Sequence, residues 1–481
     1  MQSLIRPKDL TQGRPLPALT LYALPMFASM FFQQAYNLAD SWIAGNCIGP
    51  VALGAVGTCY PITMVFIAMA SGLGIGTSIC CSQKFGAREF DTVRTAIRTA
   101  LICFLPLSLL LTAVSIPASP LALKLLAVPQ EAMGATGEYL RFYLAGLPFL
   151  FLYNMATGIL NGLGNSRTPL LFLIASSALN IVLDFFLVII VPLGVAGLAL
   201  ATLLSQAASA LATLWAVGRM YRGLGTDDAV IDAANDAVIN TRNDAVSDII
   251  NDAADDTATD AVRREPLVSL TVLGELLRLA IPSIIQHVFM SAGQLVMQNV
   301  INSYGLVVMA GYSVAFRING LVVNTLMALS NALSGFIAQN KGAGKNGRIT
   351  DGLKVALIIG YIYSSLAVLL LLLKGPAILA FFVGAEADGQ AIIGAGMGFI
   401  RIVSPFYLLV CFKIICDGAL RGIGSMTLFM FSTISDVLVR MFCAGAFSNL
   451  WGISGVWWIW PFAWLIGTAV SAASWAVKRP R

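Results

Sequence analysis

Charge is scarce in this sequence. Lys, Arg, Asp and Glu make up 11% of its 481 residues against 58% hydrophobic ones, and the mean hydropathy is +0.83. A soluble core cannot hide so much apolar surface, so a water-soluble globular domain is excluded and lipid becomes the solvent. Histidine occurs once. The eight cysteines, including Cys80, Cys81, Cys411 and Cys416, form no CxxC pair and no Cys/His set at metal spacing, which removes zinc ribbons and redox dithiols and leaves them as packing residues. No Walker A sequence, HExxH, GxSxG or Rossmann fingerprint in a strand-turn-helix context is present, so neither an ATP-driven pump nor a familiar hydrolase is indicated. The chain is read as no enzyme and as holding no cofactor. Its basic residues follow the membrane topology and form no single patch, which argues against nucleic acid.

What the chain has is long apolar runs. Ala100 to Ile116, Leu170 to Val191, Val355 to Leu373 and Phe429 to Phe447 each approach the roughly 20 residues that cross a bilayer core of about 30 Å. They are continuously apolar, whereas barrel strands are shorter and alternate. The fold class is therefore an all-α polytopic membrane protein of about 12 transmembrane helices. Spans are predicted near 18–44, 52–82, 93–117, 138–162, 168–191, 196–220, 276–302, 309–337, 352–374, 396–420, 425–447 and 454–476. The first is read as a retained helix, because no cleavage site follows a short apolar stretch. This assignment puts Arg6, Lys8, Arg14, Lys84, Arg88, Arg94, Arg98, Arg167, Lys341, Lys345, Arg348, Lys478 and Arg479 on one side, with Lys124 and Lys374 on the other. The positive-inside rule then places both termini in the cytoplasm.

The chain repeats itself. Pro25 is followed by Gln83-Lys84-Phe85-Gly86-Ala87 as Pro282 is followed by Gln339-Asn340-Lys341-Gly342-Ala343. The run from Gly158 to Gly164 matches that from Gly418 to Gly424, and Gly194 to Gly197 matches Gly452 to Gly455. With an even number of spans in each half, both insert the same way up, giving two pseudo-symmetric six-helix bundles as a parallel repeat. The expected division is an N-terminal lobe over 1–221, an acidic low-complexity cytoplasmic linker over 222–266 and a C-terminal lobe over 267–481. Asp-Ala recurs in the linker at Asp228, Asp236, Asp244, Asp252 and Asp260, but the glycines of calcium-binding repeats are missing, so it is read as a solvated tether.

An ionisable group inside a span is costly and so points to function. Asp40 lies in the first span; Asn180 and Asp184 lie in the fifth at i and i+4, on one helix face. With Asn154 and Thr202 from the fourth and sixth spans they can form an oxygen-rich pocket for Na⁺ or a shared proton. The second half has no acid at the place of Asp40; its polar residues include Gln286, His287, Gln294, Arg317, Asn319 and Asn324. Lys413 and Asp417 read as a helix-face salt bridge, and Arg317 and Arg440 as partners for carbonyls or lipid headgroups. Pro25 removes a backbone hydrogen bond and can bend the first helix, while Met26 and Met30 beside it supply an adaptable apolar stretch. With Gln34, Gln286 and His287 they are the candidate substrate cleft.

Taken together, Tyr36-Asn37-Leu38-Ala39-Asp40, the Gln83 to Arg88 loop with its Gln339 to Gly344 copy, and the glycine-rich loops at Gly158 and Gly418 resemble the multidrug and toxic compound extrusion (MATE) family, and within it the DinF-like branch. The resemblance spans all but the acidic insertion. It implies two lobes around a central cleft and an alternating-access antiporter in the plasma (inner) membrane. The implied substrates are drugs and toxic metabolites, often lipophilic cations, exchanged for entering H⁺ or Na⁺. It also implies a cation site at Asp40, Asn180, Asp184 and Thr202, with Tyr36 and Asn154 as additions, linked to bending at Pro25. Apart from Na⁺ there, no metal is implied. Where other branches carry acids in the seventh and tenth spans, this chain has Gln286, His287 and Val410. Besides small organic substrates and membrane lipid no partner is expected, and the protein is read as a monomer. A lipid-linked precursor flippase of the same superfamily, and less so a channel, stay open.

Overall fold

The computed structural model describes residues 5–125, 128, 130–224, 267–383 and 389–480. The acidic repeat from Asp228 onward lies outside the described residues. Helices account for nearly all of the described chain: α1 Pro15–Ile43, α2 Pro50–Gly86, α3 Phe90–Leu125, α4 Gln130–Ala145, α5 Leu147–Gly162, α6 Arg167–Phe185 and α7 Gly194–Gly223 in the first half, then α8 Leu270–Asn302, α9 Leu306–Gly342, α10 Asn346–Val383, α11 Gly389–Val403, α12 Tyr407–Gly422 and α13 Met426–Lys478.

Among these, ten helices are long and apolar enough to cross a membrane, and the α4–α5 pair, bent by 45° at Gly146, makes an eleventh crossing. Pro148 explains the bend, since it lacks the N–H that would continue the ladder. At the matching place in the second half, around Pro405, Ser404–Phe406 forms a 3₁₀ turn between α11 and α12 while Gly389–Gly422 continues as one span. Straight, the 53 residues of α13 would reach about 80 Å. Instead the chain leaves helical geometry at Trp451 and Gly452 and doubles back, so that Ser432 Oγ donates to Gly467 O at 3.2 Å and Phe447 stacks on Phe462. The two arms bring the crossings to the twelve expected. The spans overrun their predicted ends by several residues, because helices continue past the apolar stretch into the headgroup layer.

The repeat is written in the turns. Gly164 and Gly424 adopt φ +79° and +76°, and Gly194 and Gly452 both adopt φ +58°, left-handed values that suit residues without a Cβ. Outward faces are apolar, as lipid requires: Phe31, Leu110, Val182, Leu373 and Phe442 are all more than half exposed.

The halves meet at the end that carries both chain termini. There Gln83 Nε2 donates to Gly422 O and Gln339 Nε2 donates to Gly162 O, each at 3.0 Å, so one bond is the pseudo-symmetric image of the other. Gly86 lies so close to Gln339 O, and Gly342 to Gln83 O, that a Cβ at either would stand 1.9 Å from the carbonyl oxygen. The segment before α1 is laid across this seam. Its Lys8 N donates to Leu163 O on one side, while Leu10 N donates to Gln339 Oε1 and Asn340, Lys345 and Arg348 bind the carbonyls of Leu10 to Gly13 on the other. Arg88, Lys341, Lys345 and Arg348, predicted on one side of the membrane, do gather at this end. The second half of α1 is mostly exposed, from Phe31 through Leu38 to Trp42.

Candidate cation-coupling site

Inside the first half, α1, α6 and α7 bring a polar cluster together under lipid-facing walls. Asp184 and Asn180 point from adjacent turns of α6, at 0% and 1% exposure, and Asp40 meets them from α1. With its amide nitrogen turned toward the carboxylates, Asn180 donates to Asp40 Oδ1 at 2.9 Å and to Asp184 Oδ2 at 3.1 Å. The two carboxyls also stand within hydrogen-bonding reach of each other. Tyr36, one turn before Asp40, hydrogen-bonds to Asp40 and to Thr202 of α7, and Thr202 Oγ1 donates back to Leu198 O at 3.1 Å. Asp184 Oδ1 is buried with no protein donor. Two carboxylates this close repel each other in a low-dielectric interior, an arrangement that can hold a proton or a cation. Oxygens from Asp40, Asp184, Tyr36 and Thr202 are the hard ligands that suit Na⁺.

Of the predicted members, Asp40, Asn180, Asp184, Thr202 and Tyr36 are thus assembled. Asn154 is not linked to them: its amide donates to Leu150 O at 2.9 Å and its Oδ1 accepts from Ser71 at 3.4 Å, tying α5 to α2. Tyr139 of α4 was not foreseen. Its hydroxyl lies close enough to feel Asp40, Asp184 and Tyr36, and it packs on the cap formed by Ile43, Ala44, Val188 and Leu198. Also unforeseen are the π-helical turns that follow the acids, Ala44–Ile48 after Asp40 and Phe186–Ile190 after Asp184. Such turns recur where a helix must present groups for function. Among the described residues the second half has no π turn.

Pro25 is buried within α1, and the helix runs through it unbroken; Ser29 Oγ donates to Pro25 O at 2.9 Å. Met26 and Met30 are half-buried and Gln34 is exposed. Gln286 is turned inward, its amide on Met290 Sδ at 3.1 Å, and His287 is half-buried near Arg421.

The second half bears out one expectation and corrects another. Lys413 and Asp417 do pair along one helix face, and the pair is buried, at 6% exposure each, with Lys413 Nζ 2.9 Å from Asp417 Oδ2. Arg440 does not reach carbonyls or headgroups, because Asp436, one turn before it, faces its guanidinium at 3.0 Å and Trp460 lies under it at 4.6 Å.

Repeat, bundle and buried acids converge on one family, and the MatE family profile matches the chain twice, over residues 25–186 and 282–444. The chain belongs to the MatE family. It is a multi-pass MATE-type membrane transporter and not an enzyme. It is similar to the "Probable multidrug resistance protein YpnP" of Bacillus subtilis (strain 168), 25% identical with 93% of this chain and 92% of that one covered. It is also similar to the "Multidrug export protein MepA" of Staphylococcus haemolyticus (strain JCSC1435), 21% identical over 92% of this chain and 89% of the relative. Among solved structures, one described as the outward-facing conformation of a multidrug resistance MATE family transporter of the MOP superfamily superposes with a TM-score of 0.82, 26% identity and coverage of 98% and 97%. The two MatE matches open at Pro25 and Pro282 and so reproduce the repeat read from the glutamine and glycine loops.

Proposed function

We propose that this transporter is a cation-coupled antiporter that exports organic, often lipophilic cationic compounds by alternating access. The coupling site is the α1–α6–α7 cluster. The observation that carries this reading is a carboxylate pair, Asp184 buried and Asp40 half-buried, linked through the neutral amide of Asn180, with Asp184 Oδ1 lacking a hydrogen-bond partner. An H⁺ or Na⁺ arriving there neutralises the pair and draws α1 toward α6. The π turns after Asp40 and Asp184 and the proline at 25 are where α1 and α6 can change shape. That rearrangement alters the cleft flanked by Met26, Met30, Gln34, Gln286 and His287 and releases the substrate. A coupling site placed in the first lobe is also the arrangement expected of the DinF-like branch. The relatives named as multidrug proteins support the substrate class. Both termini lie in the cytoplasm of the plasma (inner) membrane, in line with the basic residues gathered at their end.

A lipid-linked precursor flippase would call for a cationic cleft. Arg440 is engaged with Asp436 and Trp460, which leaves a cationic cleft with little support. The test is efflux of a fluorescent lipophilic cation from proteoliposomes, with H⁺ and Na⁺ gradients imposed separately on wild type and Asp184→Asn. Efflux driven by one gradient and lost in the variant names the ion. Unchanged efflux in the variant would sink the site assignment, and no gradient-driven movement of several such cations would sink the antiport.

A further inference from the structure

In the second lobe, α12 and the two arms of α13 enclose a second pair of aspartates. Lys413 Nζ sits between them, 2.9 Å from Asp417 Oδ2 and 4.0 Å from Asp436 Oδ2. Ser471 Oγ donates to Asp417 Oδ1 at 2.7 Å, and Arg440 faces Asp436 Oδ1 at 3.0 Å. Arg421, one turn further along α12, feels Asp417 but is hydrogen-bonded to Asn331 Oδ1 and Ser330 Oγ, both at 2.8 Å. The seat for the lysine is built: a Cβ on Gly467 would stand 2.5 Å from Lys413 Cε and 3.1 Å from Asp436 Cβ. Counted from the matching glycines Gly164 and Gly424, Arg440 stands where the first lobe has Asn180, and Ala444 where it has Asp184.

We propose that Lys413 and Arg440 are tethered stand-ins for a coupling cation, so that the second lobe's aspartate pair is permanently neutralised and ion exchange is confined to Asp40 and Asp184. Each lobe thus has two buried acids bridged by one nitrogen donor. In the first lobe that donor is neutral and the missing charge must come from solution; in the second it is an ammonium on the chain. The consequence is one exchanging site per cycle. Lys413 is here a positioning residue, acting through the acids it holds and never leaving them.

The inference rests on the coupling site proposed above, and the test separates the two. Purified full-length protein is unfolded thermally in detergent with choline replaced by Na⁺, and again at mildly alkaline against mildly acid pH. A bound cation raises the midpoint, by about 2 °C or more when the site is well occupied. Wild type is expected to shift, Asp184→Asn to lose the shift, and Asp184→Asn/Lys413→Met to regain it, because an aspartate pair has lost its tether. A merely structural lysine would lower the midpoint without restoring any cation response. A shift that persists in Asp184→Asn alone overturns the proposal, since the second pair would then be exchanging. So does a folded Asp184→Asn/Lys413→Met that shows none. If wild type does not shift but Lys413→Met does, the coupling-site reading fails and with it the confinement of exchange to Asp40 and Asp184, and only the tethering of the second pair stands. Should the lysine variant not fold, Asn180→Lys moves the tether into the first lobe. It is expected to hold the midpoint at the cation-saturated value with no further response, and a retained response refutes the equivalence.

Discussion

The two buried aspartate pairs are built alike and neutralised differently. Asp40 and Asp184 are joined by Asn180, whose amide brings two hydrogens and no charge. Asp417 and Asp436 are joined by Lys413 and flanked by Arg440. Burying a charge is costly and pairing it offsets the cost, so the second pair carries cations of its own, whereas the first has the neutral amide of Asn180 between its acids. The pseudo-symmetry that gives both lobes the same turns has not kept the same chemistry in them. On the reading proposed above, one lobe responds to the gradient and the other holds its shape, and it is the bridging group that would divide these tasks.

The comparison breaks most sharply if removing an acid and removing a tether do not dissociate. Asp184→Asn is expected to cut gradient-driven efflux by about tenfold or more, while leaving thermal stability near that of wild type, since one of two repelling carboxylates has gone. Lys413→Met should do the opposite at the level of folding. It strands Asp417 and Asp436 in the interior, a change worth about 3–5 kcal/mol, and Lys413→Met/Asp417→Asn should recover part of it. Both are read from unfolding midpoints beside efflux rates. If Lys413→Met is as stable as wild type with no cation response, the second pair was not held by its tether. A smaller effect is expected from Gly467→Ala. The new methyl group displaces Lys413 Cε from its seat, at a cost of about 1–3 kcal/mol typical of overpacking. An unfolding midpoint unchanged by it would mean that the lysine has room elsewhere.

The first lobe's site was readable because its signal is local. Asp40 and Asp184 interrupt apolar runs, and Asn180 precedes Asp184 by one turn, so sequence alone puts them on usable faces. Asn154 looked equivalent but turned to Ser71, because helix rotation is set by packing and not by composition. The second lobe's network was legible only in pieces. Lys413 with Asp417 and Asp436 with Arg440 are each i, i+4 pairs, and each pair alone reads as a helix-face salt bridge. That they face one another depends on the hairpin at Trp451 and Gly452, which brings Ser471 and Gly467 alongside. Two carboxylates and two cations within apolar spans were the available hint, since such groups are costly against lipid. Twelve spans and the repeat came through because hydropathy and glycine-rich turns recorded them twice. The π turns left no such trace.

The smallest expected effect tests where symmetry does hold. Gln83 and Gln339 make mirror-image bonds, to Gly422 O and Gly162 O, each at 3.0 Å, and no charge distinguishes them. Replacing either by Leu removes one interlobe bond and leaves a carbonyl facing an apolar side chain, a loss of about 1 kcal/mol apiece. Gln339 also accepts from Leu10 N, so Gln339→Leu should cost somewhat more, with the excess disappearing when residues 1–13 are deleted. Unfolding midpoints of the single and double variants check this, and labelling of a cysteine placed at the seam reports whether the lobes part more often. If Gln83→Leu and Gln339→Leu differ greatly even in the truncated protein, the seam is not symmetric in energy. Asymmetry would then belong to the whole interface and not to the buried pairs, and the division of tasks between the lobes would have to be sought at the seam.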